Sequence, residues 1–196
     1  STAYQKFFPY ENPRESQDKA IQFAVDSFDS GKRFVVIEAG TGVGKSAIGL
    51  TISRHINNLE NDLPEEVSRG TWYLTTQKVL QEQYIKDFGK IGMKSIKSAS
   101  NYDCTFKKGN NCSETQKLLK IEDKCTKLWN ACAFNCHYKK AKENFKHLSL
   151  AKWADIILIA PCTANFMNKL ANTSTNSLPT TAAGTKFFVL ADLIVT

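Results

Sequence analysis

Phe34-Val35-Val36-Ile37-Glu38-Ala39-Gly40-Thr41-Gly42-Val43-Gly44-Lys45-Ser46 is an apolar run, a glycine-rich turn and the opening of a helix, in that order. Glycines let the backbone adopt left-handed conformations and turn consecutive N–H groups toward an anion. A helix starting at Lys45 adds the partial positive charge of its N-terminus. The stretch follows the G-x-x-x-x-G-K-[ST] phosphate-loop pattern, with Ala39 at the first glycine position. On that pattern Gly40, Thr41, Gly42, Val43, Gly44, Lys45 and Ser46 are the expected nucleotide-binding residues. Lys45 would reach the β- and γ-phosphates as the catalytic cation, and the Ser46 hydroxyl would ligate Mg²⁺. A strand–helix turn without a ligand is the plainer alternative.

Outward from this loop, strands and helices alternate. Ala20, Ile21, Ala24, Val25 and Phe28 recur at helical spacing over 15–28, ending at Ser30-Gly31. A strand over 33–38 and a helix over 45–57 flank the loop. A second strand is expected at 71–75, followed by a helix to about Phe88. The rhythm breaks over 101–146, where only short helices are expected, near 114–128 and 138–145. It returns as an apolar strand at 155–160, a helix near 164–171 and a strand at 186–190. This order predicts an α/β fold with a parallel sheet covered by helices on both faces.

Composition sets the remaining bounds. The 196 residues suffice for one core, or one core with a small insert. No apolar run is long enough to span a bilayer. The first residues lack the apolar core of a secretion signal, so a cytoplasmic setting without membrane attachment is expected. The net charge is +7 and uneven: residues 101–146 carry ten lysines against five acids. Such a block suggests a polyanion partner or a solvated lysine-rich face. Five of the six cysteines, Cys104, Cys112, Cys125, Cys132 and Cys136, fall in the same block. Clustered thiols without a secretion signal point to metal rather than to disulfides.

Several short motifs together resemble the iron–sulfur superfamily 2 helicases of the XPD/DinG type. Arg14-Glu15-Ser16-Gln17 resembles their R-x-x-Q element, which implies that Arg14 and Gln17 read adenine. Leu74–Gln83 resembles the motif that touches single-stranded DNA. Ser100-Asn101-Tyr102-Asp103-Cys104 and Phe134–Lys142 resemble the two ends of the cluster domain. The resemblance implies an ATP-dependent helicase that binds ATP-Mg²⁺ and single-stranded or forked DNA. It further implies a structural [4Fe–4S] cluster on Cys104, Cys112, Cys132 and Cys136, with Cys125 spare. Four thiolates would serve Zn²⁺ equally well. The implied fold is an incomplete RecA-like motor domain over 1–100 with a cluster insert over 101–146. No Asp-Glu-Ala-His follows an apolar strand; Asp192 alone stands at such a position. A nucleotide- and DNA-binding module without motor activity is the first alternative.

Residues 147–196 read differently. His147-Leu148-Ser149-Leu150-Ala151-Lys152-Trp153-Ala154-Asp155, an apolar strand, and Pro161-Cys162-Thr163-Ala164-Asn165 resemble the flavoprotein family of phosphopantothenoylcysteine decarboxylases. The resemblance matches His147 to that family's catalytic histidine. It places Pro161, Thr163, Ala164 and Asn165 in a loop contributing to an FMN and substrate site. An FMN-dependent decarboxylase is the second alternative.

Overall fold

The computed structural model describes residues 2–59, 70–75, 77–121, 136–143, 154–162 and 186–192. The chain divides into two compact units, one formed by Ser1–Leu80 with Leu148–Thr196 and the other by Gln81–His147.

The first unit is built on a four-stranded, wholly parallel sheet. Its strands are β1 (Phe34–Ala39), β2 (Gly70–Leu74), β3 (Ala154–Cys162) and β4 (Lys186–Asp192). In space they run β1–β4–β3–β2. β4 therefore inserts between β1 and β3, pairing Phe34 with Phe187 and Ala39 with Asp192 on one side. On the other side Ile157 pairs with Phe187 and Cys162 with Ala191. β2 closes the far edge, with Leu74 opposite Ile159. This register brings Ala39, Asp192 and Cys162 to one carboxyl edge of the sheet.

Helix α1 (Glu15–Asp29) buries Gln17, Ile21, Ala24, Val25 and Phe28, a stripe of three- and four-residue steps. Its stop is local. Gly31 takes φ +85°, and Lys32 N–H reaches back to the Ser27 carbonyl at 3.0 Å. This is the six-to-one bond that closes helices at a left-handed glycine. Helix α2 (Lys45–Asn57) is buried along almost all of its length, from Ala47 to Ile56. Thr51 and Ser53 avoid a polar penalty there by donating to the Ala47 and Gly49 carbonyls, each at 2.7 Å. Gly49 permits close contact with the sheet. A Cβ at that position would meet Leu158 Cδ1 at 2.7 Å and the Tyr73 hydroxyl at 3.2 Å.

One core joins Ile21, Ala24, Val25 and Phe28 of α1, Val35 of β1, Ile48, Ile52 and Ile56 of α2, and Leu158 and Ala160 of β3. Tyr4 and Phe8 of the N-terminal segment seal its end. Both helices thus lie on the Val35 face. On the opposite side of β1, Phe34 and Val36 are more than half exposed.

The second unit contains the rest of α3 (Lys78–Phe88), then α4 (Cys112–Ile121) and α5 (His137–Glu143). Between α3 and α4 the chain doubles back. Asp103 and Asn111 form an antiparallel bridge, Cys104 N–H bonds to the Asn110 carbonyl at 2.9 Å, and Cys112 N–H bonds to the Tyr102 carbonyl at 2.8 Å. Asn111 then starts α4 with a reciprocal cap. Its side chain accepts from Glu114 N–H at 2.9 Å, while its own N–H donates to the Glu114 carboxylate at 3.0 Å. The Tyr102 and Tyr138 rings lie 5.4 Å apart, tying the hairpin to α5.

Sequence reading places most of these elements within a few residues. The helix expected near 164–171 lies outside the described residues, as do Cys125, Cys132, His147, Thr163, Ala164 and Asn165. No helix among the described residues is long and apolar enough to cross a membrane.

Candidate functional site

The loop between β1 and α2 holds the best-defined constellation in the first unit. Gly42 and Gly44 take φ +78° and +83°, conformations that side chains resist. Among the described residues no atom lies within 4 Å of a Cβ built on Gly40 or Gly42, which leaves open space at the loop. Gly44 is different: a Cβ there would run into the Gln17 amide. Lys45 folds its ammonium over the loop, donating to the Ala39 carbonyl at 2.6 Å and the Gly40 carbonyl at 2.7 Å. Ala47 N–H already bonds to the Gly44 carbonyl at 3.0 Å as the helix begins. A lysine, left-handed glycines and a helix N-terminus at one sheet edge form a cradle suited to a phosphomonoester.

Arg14 and Gln17 both reach the glycine loop. The Arg14 guanidinium donates to the Gly42 and Val43 carbonyls at 3.0 and 2.9 Å. The Gln17 amide donates to the Val43 carbonyl at 2.9 Å, and its oxygen accepts from Arg14 N–H at 2.9 Å. Gln17 is buried. Both side chains therefore hold the loop from α1. Sequence spacing marks the pair but not the target, because carbonyls of a folded loop compete with any ligand edge.

In the second unit Cys104, Cys112 and Cys136 are all buried. The sulfurs of Cys112 and Cys136 lie 3.9 Å apart. Cys104 is held separately, with Lys107 N–H 3.3 Å from its sulfur. Burial pushes the Cys104 thiol up, but the Thr115 hydroxyl and the Lys107 and Phe106 amides outweigh it and leave the pKa lowered. Thr115 carries no signal in the sequence; it reaches Cys104 only because the hairpin folds back on α4. Among the described residues no group of three or more His, Cys, Asp or Glu is placed to hold a metal ion.

The family model described as Flavoprotein matches residues 75–188, more than half of the chain, and the chain belongs to that flavoprotein family. A Dictyostelium discoideum protein whose name assigns it as a phosphopantothenoylcysteine decarboxylase is 31% identical over 122 residues, covering 60% of this chain and 54% of that protein. The chain spans about half the length of this curated relative. No solved structure matches.

These findings correct the helicase expectation. The matched span contains both Thr75–Gln83, assigned to DNA contact, and the cysteine block 101–146. An ATP-hydrolysing helicase, an ATP-Mg²⁺ site and a [4Fe–4S] cluster on Cys104, Cys112, Cys132 and Cys136 are overturned by that family assignment. For the cluster, the absence of a metal-suited group among the described residues points the same way. What survives of the expected RecA-like architecture is the coarser class, an α/β fold with a small parallel sheet. The physical reason is the brevity of the motifs. R-x-x-Q and N-Y-x-C each specify few side chains, and here Arg14 and Gln17 serve the backbone.

Proposed function

We propose that this chain is part of an FMN-dependent decarboxylase of the phosphopantothenoylcysteine decarboxylase type. The family match over 75–188 carries the reading. The relative named for that activity supports it. Its substrate class would be a phosphorylated small molecule ending in a cysteine carboxylate.

The residues present fit the phosphate end of such a cofactor. Open space lies above Gly40 and Gly42, and the Lys45 ammonium sits at the same loop. The loop precedes the matched span. It shares the sheet's carboxyl edge with the end of β3 through β4, by the pairs Ala39–Asp192 and Ala191–Cys162. Crevices outside the carboxyl ends of parallel strands are where such sheets bind ligands. Gly40–Ser46 would hold the phosphate, with Lys45 neutralising it. Bound FMN would supply reversible acceptance of two electrons, easing loss of the carboxyl group. His147, matched to the family's catalytic histidine, would hold and move a proton on its imidazole. Pro161 lies at the end of β3, two residues before Thr163; the polar groups of Thr163 and Asn165 would orient the substrate.

The test is FMN titration of the purified chain, followed by quenching of flavin fluorescence. Saturable binding is expected, weakened at least tenfold by Lys45→Ala, the loss of about 1.4 kcal/mol from one charge-assisted contact. His147→Asn should leave FMN affinity intact and remove decarboxylation in the protein that contains the chain. Absence of any saturable flavin binding would refute the proposal.

A further inference from the structure

The chemistry around Cys112 and Cys136 belongs to neither the flavin reading nor the glycine loop. Cys112 opens α4, and Cys136 directly precedes α5, where its carbonyl accepts from Lys140 N–H at 3.0 Å. Both side chains are buried, at 5% and 6% exposure, and their sulfurs stand 3.9 Å apart. This is van der Waals contact between two thiols. A disulfide needs the sulfurs about 2 Å closer, a distance that side-chain rotation and a small backbone adjustment supply. The positions are 24 residues apart in the chain, so the bond would close a long loop and lock the starts of two helices together. Cys104 is engaged instead by the Thr115 hydroxyl and the Lys107 amide.

We propose that Cys112 and Cys136 form a reversible redox pair, closing to an intrachain disulfide on exposure to a peroxide. In the first step a thiolate of the pair attacks the peroxide O–O bond. It becomes a sulfenic acid and releases hydroxide, which takes up the proton lost by the thiol to form one water. In the second step the neighbouring sulfur attacks the sulfenic sulfur. The S–S bond forms, the S–O bond breaks, and the second thiol proton leaves with the hydroxyl as another water. Two thiols and one hydrogen peroxide thus give one disulfide and two waters. The product is the same whichever sulfur is oxidised first, and a dithiol reductant reopens it. A small oxidant suits a pair this buried, because larger disulfides need the segment to open first.

The experiment treats the full chain with hydrogen peroxide, alkylates remaining thiols under denaturing conditions, and maps linked peptides by mass spectrometry without reduction. A Cys112–Cys136 peptide should dominate, disappear on prior treatment with dithiothreitol, and persist in Cys104→Ser. Cys112→Ser and Cys136→Ser should each abolish it; because either change could disturb folding, the map of the unaltered chain is decisive by itself. A dominant link through Cys104 or Cys132 would overturn the pairing. So would stoichiometric iron or zinc in the purified chain by elemental analysis, or sulfinic acid accumulating at both positions with no link.

Discussion

The Gln17 amide donates to the Val43 carbonyl at 2.9 Å from inside α1, fixing the glycine loop from the neighbouring helix. The same side chain accepts from Arg14 N–H at 2.9 Å, so one residue caps its own helix and pins the next loop. Replacing Gln17 with Ala removes both bonds. Arg14 still serves the Val43 carbonyl, which prevents a fully orphaned acceptor. The expected cost is about 1–2 kcal/mol in unfolding free energy. Urea denaturation checks it; an unchanged midpoint would mean the bonds add nothing over water.

Gly44 and Gln17 should couple. A Cβ at Gly44 meets the Gln17 amide, and the residue also holds φ +83°. Gly44→Ala alone then carries a steric and a conformational penalty, together about 2 kcal/mol. In a Gln17→Ala background the steric part vanishes and the backbone part stays. The double variant should be more stable than the two single losses predict, by at least about 0.5 kcal/mol. Strict additivity in a double-mutant cycle would place the two groups apart.

How far these features were legible in the sequence depends on the range of the interaction. The strand–loop–helix unit over 34–57 could be read directly, because an apolar run, glycines and an apolar-rich helix are local signals. So could α1, whose stripe and left-handed stop at Gly31 lie within one segment. The insertion of β4 between β1 and β3 could not, since pairing Val36 with Val189 is a choice among several apolar strands of similar length. At the glycine loop the residue types could be read, but not which groups Arg14, Gln17 and Lys45 would contact. His147 and Pro161–Asn165 carried the family signal that the comparison supports. The more numerous short motifs of the first 146 residues pointed to a different chemistry. Arg14 and Gln17 were marked by spacing, but whether such groups face a ligand or a carbonyl is decided by backbone approach.

Leu158 tests the sheet order. It is fully buried in the shared core, and its Cδ1 lies where a side chain on Gly49 would be. Leu158→Ala should open a cavity between β3 and α2 and cost about 2–5 kcal/mol. A thermal shift of under a degree would be incompatible with β3 lying centrally beneath α2.

The pH response of the second unit should include Glu82. The Lys97 ammonium, 2.8 Å from its carboxylate, holds its pKa below the usual value by hydrogen bonding and by charge, against a small opposing effect of desolvation. The folded chain therefore releases this proton more readily than the unfolded chain. The stabilisation is complete above the ordinary glutamate value of about 4.3 and fades as pH falls through the lower, folded value. Glu82 is largely exposed, so the effect is small and should shrink as salt is added. The stability difference between the unaltered chain and Glu82→Gln should be flat near neutrality and close under acid. Lys97→Met should abolish that acid-dependent difference. Should the gap between the unaltered chain and Glu82→Gln instead persist unchanged to about pH 2, the carboxylate would not be drawing its stability from this ion pair.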